Sequence, residues 1–160
     1  MANECLLTAG QVVEVTGLKY PTLDRWFRPE RGGFLECAQP AAGKDTRRGF
    51  SFLDVLRIEA VKRLRGAGVS MQMIRRVLGE LGERYAEDDP LLAGRLVVAG
   101  TRLFWAIDDA TLLDVLAQQL AAAPLVILPI GDMIRENRAK VEALCTETET
   151  GEQGEQAIAV

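Results

Sequence analysis

The sequence predicts a mainly α fold in which a helical N-terminal domain with one basic loop is followed by a small α+β unit. Three observations lead there. Apolar residues recur at steps of three and four through four segments between Thr8 and Leu81. Glycine, proline and capping residues punctuate those segments at their ends. Beyond residue 94, short runs rich in β-branched and aromatic residues replace the helical period. The expected organisation is a helical head over 1–82, an acidic connector over 83–94, an α+β unit over 95–145 and a disordered tail over 146–160.

The first helix is expected from Thr8, an N-cap residue with Gln11 placed to complete a capping box, through Ala9-Gly10-Gln11-Val12-Val13-Glu14-Val15. Gly17 supplies the turn and Leu18 a core anchor. Pro21 suits the first turn of a second helix reaching about Arg28. The pair has helix-turn-helix spacing. On the second helix Leu23 and Trp26 or Phe27 face the core, leaving Tyr20, Thr22, Arg25 and Arg28 on the outer face, with Lys19 just ahead. Arg31-Gly32-Gly33 ends that helix, and Phe34-Leu35-Glu36-Cys37-Ala38 is expected as a short strand entering a loop that returns at Arg48-Gly49-Phe50-Ser51. Lys44, Arg47 and Arg48, beside Gly43 and Gly49, put cations on flexible backbone where a phosphate chain or minor groove can accept them.

A third helix starts near Ser51 or Phe52, with Leu53, Leu56, Ala60, Val61 and Leu64 on one stripe, and ends at Gly66-Ala67-Gly68. Ser70 caps a fourth, whose Ile74, Val77, Leu78 and Leu81 form the matching face. Together they make a helical hairpin.

The order of helix-turn-helix, basic wing and the run Phe50-Ser51-Phe52-Leu53-Asp54-Val55-Leu56 through Lys62-Arg63-Leu64-Arg65-Gly66-Ala67-Gly68-Val69-Ser70 resembles the MerR-family regulators over about Leu6 to Leu81. Thr22-Leu23-Asp24-Arg25-Trp26 is similar to the family's Thr-Leu motif followed by basic and aromatic residues, with Asp24 where many members have Arg. The resemblance implies a winged helix-turn-helix whose second helix enters the major groove, whose wing lies on the flanking backbone, and which works as a two-fold dimer on a near-palindromic site. It implies duplex DNA as partner, with RNA polymerase and a small-molecule or protein effector as further candidates. Asp24, unfavourable near phosphates, could accept from a cytosine amino group.

Farther on, Arg95-Leu96-Val97-Val98, the turn Ala99-Gly100, and Thr101-Arg102-Leu103-Phe104-Trp105-Ala106 form an expected β-hairpin. Asp108 or Asp109 caps a helix carrying Leu112, Leu113, Leu116 and Leu120, and Leu125-Val126-Ile127-Leu128 is expected as a short buried strand. This half is loosely similar to the C-terminal unit of a subgroup of actinobacterial-type MerR-like regulators. The last helix, from about Gly131 to Cys145, places Ile130, Ile134, Asn137, Val141 and Leu144 at steps of four and three. Ile134, Asn137, Val141 and Leu144 are therefore candidates for a dimer seam, with Asn137 fixing register, and packing of the helix onto its own domain is the alternative.

Composition bounds the rest. The 160 residues, 48% hydrophobic, suffice for one ordinary core or two small ones. The longest apolar run, Leu120 to Ile130, is far short of the roughly 20 residues of a membrane span and contains Pro124 and Pro129. With no export signal in view, a cytoplasmic location is expected. Cys5, Cys37 and Cys145 are odd in number and scattered, so reduced thiols are expected. Residues 1–82 hold 13 Lys and Arg against 9 Asp and Glu, net +4, whereas residues 83–160 hold 6 against 14, net −8. That asymmetry fits a basic binding module joined to an acidic partner unit.

The chain has no histidine, so the commonest general base and metal ligand are absent. The three cysteines lack metal-site spacing, no phosphate loop appears, and Asp88-Asp89 and Asp108-Asp109 fall where a linker or helix cap would put them. Neither catalysis, a metal nor a cofactor is expected. Trp26 and Trp105 are expected in the core. The sequence thus points to a transcription regulator that binds duplex DNA as a homodimer through Lys19, Tyr20, Thr22, Arg25, Arg28, Lys44, Arg47 and Arg48. The alternatives are an architectural factor of the excisionase or antitoxin kind, or an interaction adaptor whose helix-turn-helix no longer touches DNA.

Overall fold

A computed structural model describes residues 5–41, 47–119 and 124–158, with side chains as far as Glu147. It contains six α-helices and one three-stranded sheet among the described residues: α1 (Ala9–Thr16), α2 (Tyr20–Trp26), α3 (Phe52–Gly66), α4 (Met71–Ala86), β1 (Arg95–Ala99), β2 (Arg102–Ala106), α5 (Asp109–Gln118), β3 (Leu125–Leu128) and α6 (Ile130–Ile158). The chain divides into two compact units, Met1–Val55 with Glu136–Val160, and Leu56–Arg135. The division falls inside α3 and α6.

In the first unit the caps form as the residues dictate. Gln11 N–H donates to Thr8 Oγ1 at 3.2 Å and Thr8 N–H to Gln11 Oε1 at 2.9 Å, which closes the capping box on α1. Gly17 ends the helix in the left-handed region at φ 69°, its N–H donating to the Val13 carbonyl. Pro21 lies in the first turn of α2, where no helical amide is lost. Val12, Leu23, Trp26, Phe27, Phe50 and Val55 are buried, and the Phe27 and Phe50 rings meet edge to face at 5.0 Å.

The expected strand from Phe34 to Ala38 does not form. The backbone donors there have other partners: the Trp26 carbonyl accepts from both Phe34 and Leu35 at 3.0 Å, and Ala38 N–H donates to Asp54 Oδ2 at 2.8 Å. With those amides committed, isolated bridges are what pair the described residues there, Gln39 with Gly49 and Leu7 with Phe50. The buried Asp54 also accepts from Ser51 N–H at 2.9 Å while Ser51 Oγ accepts from Asp54 N–H at 3.2 Å, a reciprocal cap that starts α3 at Phe52. The expectation of three reduced thiols is also overturned. Cys5 and Cys145 form a disulfide with Cα atoms 6.1 Å apart, and only Cys37 is free. A sequence separation of 140 hides a pairing that the fold makes by bringing the two backbones within disulfide reach.

In the second unit the residue 56–66 part of α3 and all of α4 form the helical hairpin. Leu56, Ala60, Val61 and Leu64 are buried on one helix and Ile74, Val77, Leu78 and Leu81 on the other. Ser70 caps α4, accepting from Met73 N–H. The sheet order is β2-β1-β3, antiparallel throughout, with Arg95 opposite Ala106 and Ala99 opposite Arg102 across the expected hairpin. Leu96 to Ala99 on central β1 are buried. Arg76 donates to the Thr101 carbonyl at 2.6 Å and Trp105 Nε1–H to Glu80 Oε1 at 3.0 Å, which ties α4 to the hairpin. The Arg84 guanidinium, 5.3 Å over the Trp105 ring, pairs with both Glu80 and Asp89. The connector is thus short: α4 runs to Ala86 and a 3-10 turn, Pro90–Ala93, follows, capped by Asp89. Asp108 accepts from Thr111 N–H and caps α5, in keeping with structural work for these carboxylates.

Three features of this half go beyond what the sequence suggests. Strand β3 forms, but Leu125 and Ile127 are 39% and 38% exposed, because β3 is an edge strand covered only in part. Helix α5 buries none of its described residues, and Leu113 is exposed; Leu120 lies outside the described residues. Helix α6 continues to Ile158, past Cys145, near which the sequence suggests its end.

Candidate nucleic-acid interface

The helix-turn-helix is built by α1, the Gly17 turn and α2. Lys19 occupies the N-cap position of α2, its carbonyl accepting from Thr22 and Leu23 at 3.0 Å. Burying Leu23 and Trp26 fixes the rotation of α2, so that Tyr20 (54% exposed) and Arg25 face outward and Thr22 is half-buried. Phe27 and Arg28 lie just past the helix. Trp26 is core, as expected, and packs on Phe34 with ring centroids 5.8 Å apart.

The chain turns sharply after α2. Gly33 N–H donates to the Arg28 carbonyl at 2.8 Å, and a Cβ on Gly33 would fall 2.5 Å from that oxygen. No other residue fits this closeness without a shift, so Gly33 helps to hold Arg28 where it is.

Asp24 organises the cations. Its carboxylate accepts from Arg28 Nε at 2.9 Å, one helical turn along, and from an Arg48 guanidinium nitrogen at 2.7 Å, 24 residues away at the base of the wing. The Asp24 side chain is 12% exposed and that of Arg48 19%, against 45% for Arg28. Burial pushes the Asp24 carboxyl up, but the hydrogen bonds from Arg28 and Arg48 outweigh it and hold the pKa below the ordinary aspartate value. The sequence marked Asp24 as an unfavourable charge; its ion pairs explain how the fold tolerates it. The i to i+4 spacing to Arg28 was legible as a helix pair, whereas nothing in the sequence announces Arg48.

Of the remaining cations, Arg47 is exposed and Lys44 lies outside the described residues, as does the rest of 42–46. Beside Arg28 and Arg48 opens a cavity of about 680 Å³ walled in part by Phe27, Leu35, Cys37 and Pro40. Burial, and secondarily the Asp54 charge, raises the Cys37 thiol pKa, which makes it a poor nucleophile. Among the described residues no group of His, Cys, Asp and Glu is placed to hold a metal ion, and no helix is long and apolar enough to cross a membrane.

All four candidate seam residues lie on α6. Asn137 and Val141 are buried within the chain itself, and Ile134 and Leu144 are half-buried.

Residues 7–81 match the family model described as MerR HTH family regulatory protein. Curated relatives include proteins named as uncharacterized HTH-type transcriptional regulators from Mycobacterium bovis and from two strains of Mycobacterium tuberculosis, each 33% identical over 75 residues. The similarity covers 47% of this chain and 32% of each relative, so it spans about a third of their length.

Proposed function

We propose, from the premise that residues 7–81 are a MerR-type helix-turn-helix domain, that this protein is a sequence-specific regulator of transcription that binds duplex DNA and has no enzymatic activity. The observation that carries this reading is the coincidence of that domain with a face where Lys19, Tyr20 and Arg25 stand exposed on and beside α2, with Arg28, Arg47 and Arg48 nearby. In this reading α2 enters the major groove. Arg25 and Thr22 reach base edges, while Lys19, Arg28, Lys44, Arg47 and Arg48 serve the phosphates. The protein works in the cytoplasm as a homodimer on a near-palindromic site. The second unit receives the regulatory signal, a small molecule or a protein, and RNA polymerase is a further partner.

Selection of bound sequences from random duplex DNA tests this reading. Recovery of an inverted repeat, together with affinity that falls steeply between about 50 and 200 mM salt, is expected. No enrichment and a flat salt response would overturn it in favour of an interaction adaptor. Enrichment without an inverted repeat would overturn the two-fold dimer alone.

A further inference from the structure

We infer that Asp24 is a positioning residue for DNA recognition, one that locks Arg28 and Arg48 into a single arrangement and rations their charge so that duplexes lacking the right bases are bound weakly. The inference rests on the DNA-binding reading and deepens it.

The geometry has three parts. One carboxylate receives hydrogen bonds from guanidinium groups on two separate pieces of chain, the residue just past α2 and the base of the wing. The group of three carries a net charge of +1 where the two arginines alone would carry +2. Each guanidinium has five N–H donors in a fixed plane, and the contacts to Asp24 use few of them. The remaining donors stay available for phosphate oxygens, but their direction is set before DNA arrives. Arg48, with only 19% of its side chain exposed, has little freedom to swing elsewhere.

Such a clamp works in opposite directions on the two kinds of binding. Nonspecific attachment depends mainly on the number of phosphates neutralised and on counterions released, so a carboxylate among the cations weakens it. Specific attachment depends on holding α2 and the wing in one register on the duplex, which the clamp favours. Asp24 therefore raises the ratio of specific to nonspecific affinity even as it lowers the total positive charge.

The test compares the full-length parent with Asp24→Asn and Asp24→Glu, titrating a selected duplex and a scrambled duplex of equal length by fluorescence anisotropy over a range of salt. For Asp24→Asn the scrambled duplex is expected to bind several-fold tighter, with the log–log salt slope steeper by about one phosphate equivalent, ~0.9. Its preference for the selected duplex should fall about tenfold. Asp24→Glu keeps the charge and shifts its position, so it should retain the parent slope while losing part of the discrimination. Equal weakening on both duplexes with unchanged slopes would overturn the inference and leave Asp24 a folding residue. So would an Asp24→Asn protein indistinguishable from the parent. Should Asp24→Asn fail to fold, the outcome for Asp24→Glu decides: full parental discrimination overturns the inference. A parent that binds neither duplex at any salt sinks the DNA-binding reading itself, a result distinct from a parent that binds while the variants leave slope and preference unmoved.

Discussion

Cys5 is disulfide-bonded to Cys145, so the segment just ahead of Leu7 is tied to α6 across 140 residues of sequence. A cross-link of that span acts chiefly on the unfolded chain, removing conformations it would otherwise explore. Reduction, or Cys145→Ser, is expected to lower stability by about 2–4 kcal/mol. The two treatments together should cost no more than either one. Thiol titration of the unfolded protein should find one reactive group, Cys37, before reduction and three after. Three groups before reduction would contradict the pairing.

Acid should reach the protein through Asp24 and Glu80. For each, burial raises the pKa but hydrogen bonds outweigh it, from Arg28 and Arg48 to Asp24 and from Trp105 and Arg84 to Glu80. The folded values lie below the ordinary 3.8 and 4.5. On acidification the unfolded chain therefore takes up these protons first. The stabilisation is fully present above the ordinary values and is lost as pH falls through the folded ones. Urea unfolding from about pH 7 to pH 3 should show Asp24→Asn and Glu80→Gln less stable than the parent at neutrality and converging on it in acid. Parallel curves would show that neither carboxylate is linked to folding.

Asp54 has a different weakness. Its carboxylate accepts from the backbone of both Ala38 and Ser51, so Asp54→Ala strands the Ser51 donor at a buried site and the Ala38 donor at a partly buried one. The expected cost is about 1–3 kcal/mol for a stranded donor, measured by chemical denaturation, with Asp54→Asn milder because it keeps one acceptor oxygen. A loss too small to resolve would mean that water replaces the carboxylate.

The Trp105 indole and Glu80 should be energetically coupled. A double-mutant cycle with Trp105→Phe and Glu80→Gln is expected to give a coupling of about 1.5 kcal/mol, the low end for a hydrogen bond to a charged acceptor because the contact is only part-buried. Additive losses would reduce the contact to mere proximity.

Base-reading and phosphate-holding roles separate by mutation. Arg25→Ala should cost about 1–3 kcal/mol on the selected duplex and relax specificity at one position. Arg47→Ala should weaken all duplexes alike and reduce the salt slope by about one. Interchanged outcomes would reverse the roles assigned to α2 and the wing.

Much of the fold is written in neighbouring residues. Thr8 with Gln11, Gly17, Pro21, Ser70 and Asp108 each act within a turn of their own position, and each does in the structure what its spacing suggests. The hairpin Arg95–Ala106 is equally local. The wing strand was not legible, because its failure depends on where the amides of Phe34, Leu35 and Ala38 find acceptors, and one of those acceptors is Asp54. Exposure along β3 was not legible either. An apolar strand reads the same whether it lies in the middle of a sheet or at its edge.

For the candidate interface, the sequence by itself determined the helices, the turn between them, the outward set Tyr20 and Arg25, and the basic balance of the first 82 residues. Tertiary structure alone decided that Asp24 joins Arg28 to Arg48, that Cys5 meets Cys145, and that Asn137 and Val141 turn inward. The physical reason is range. Caps, turns and helical faces follow from bonds and periods spanning a few residues, whereas ion pairs, disulfides and burial depend on which distant segments the folded backbone brings within a few ångströms.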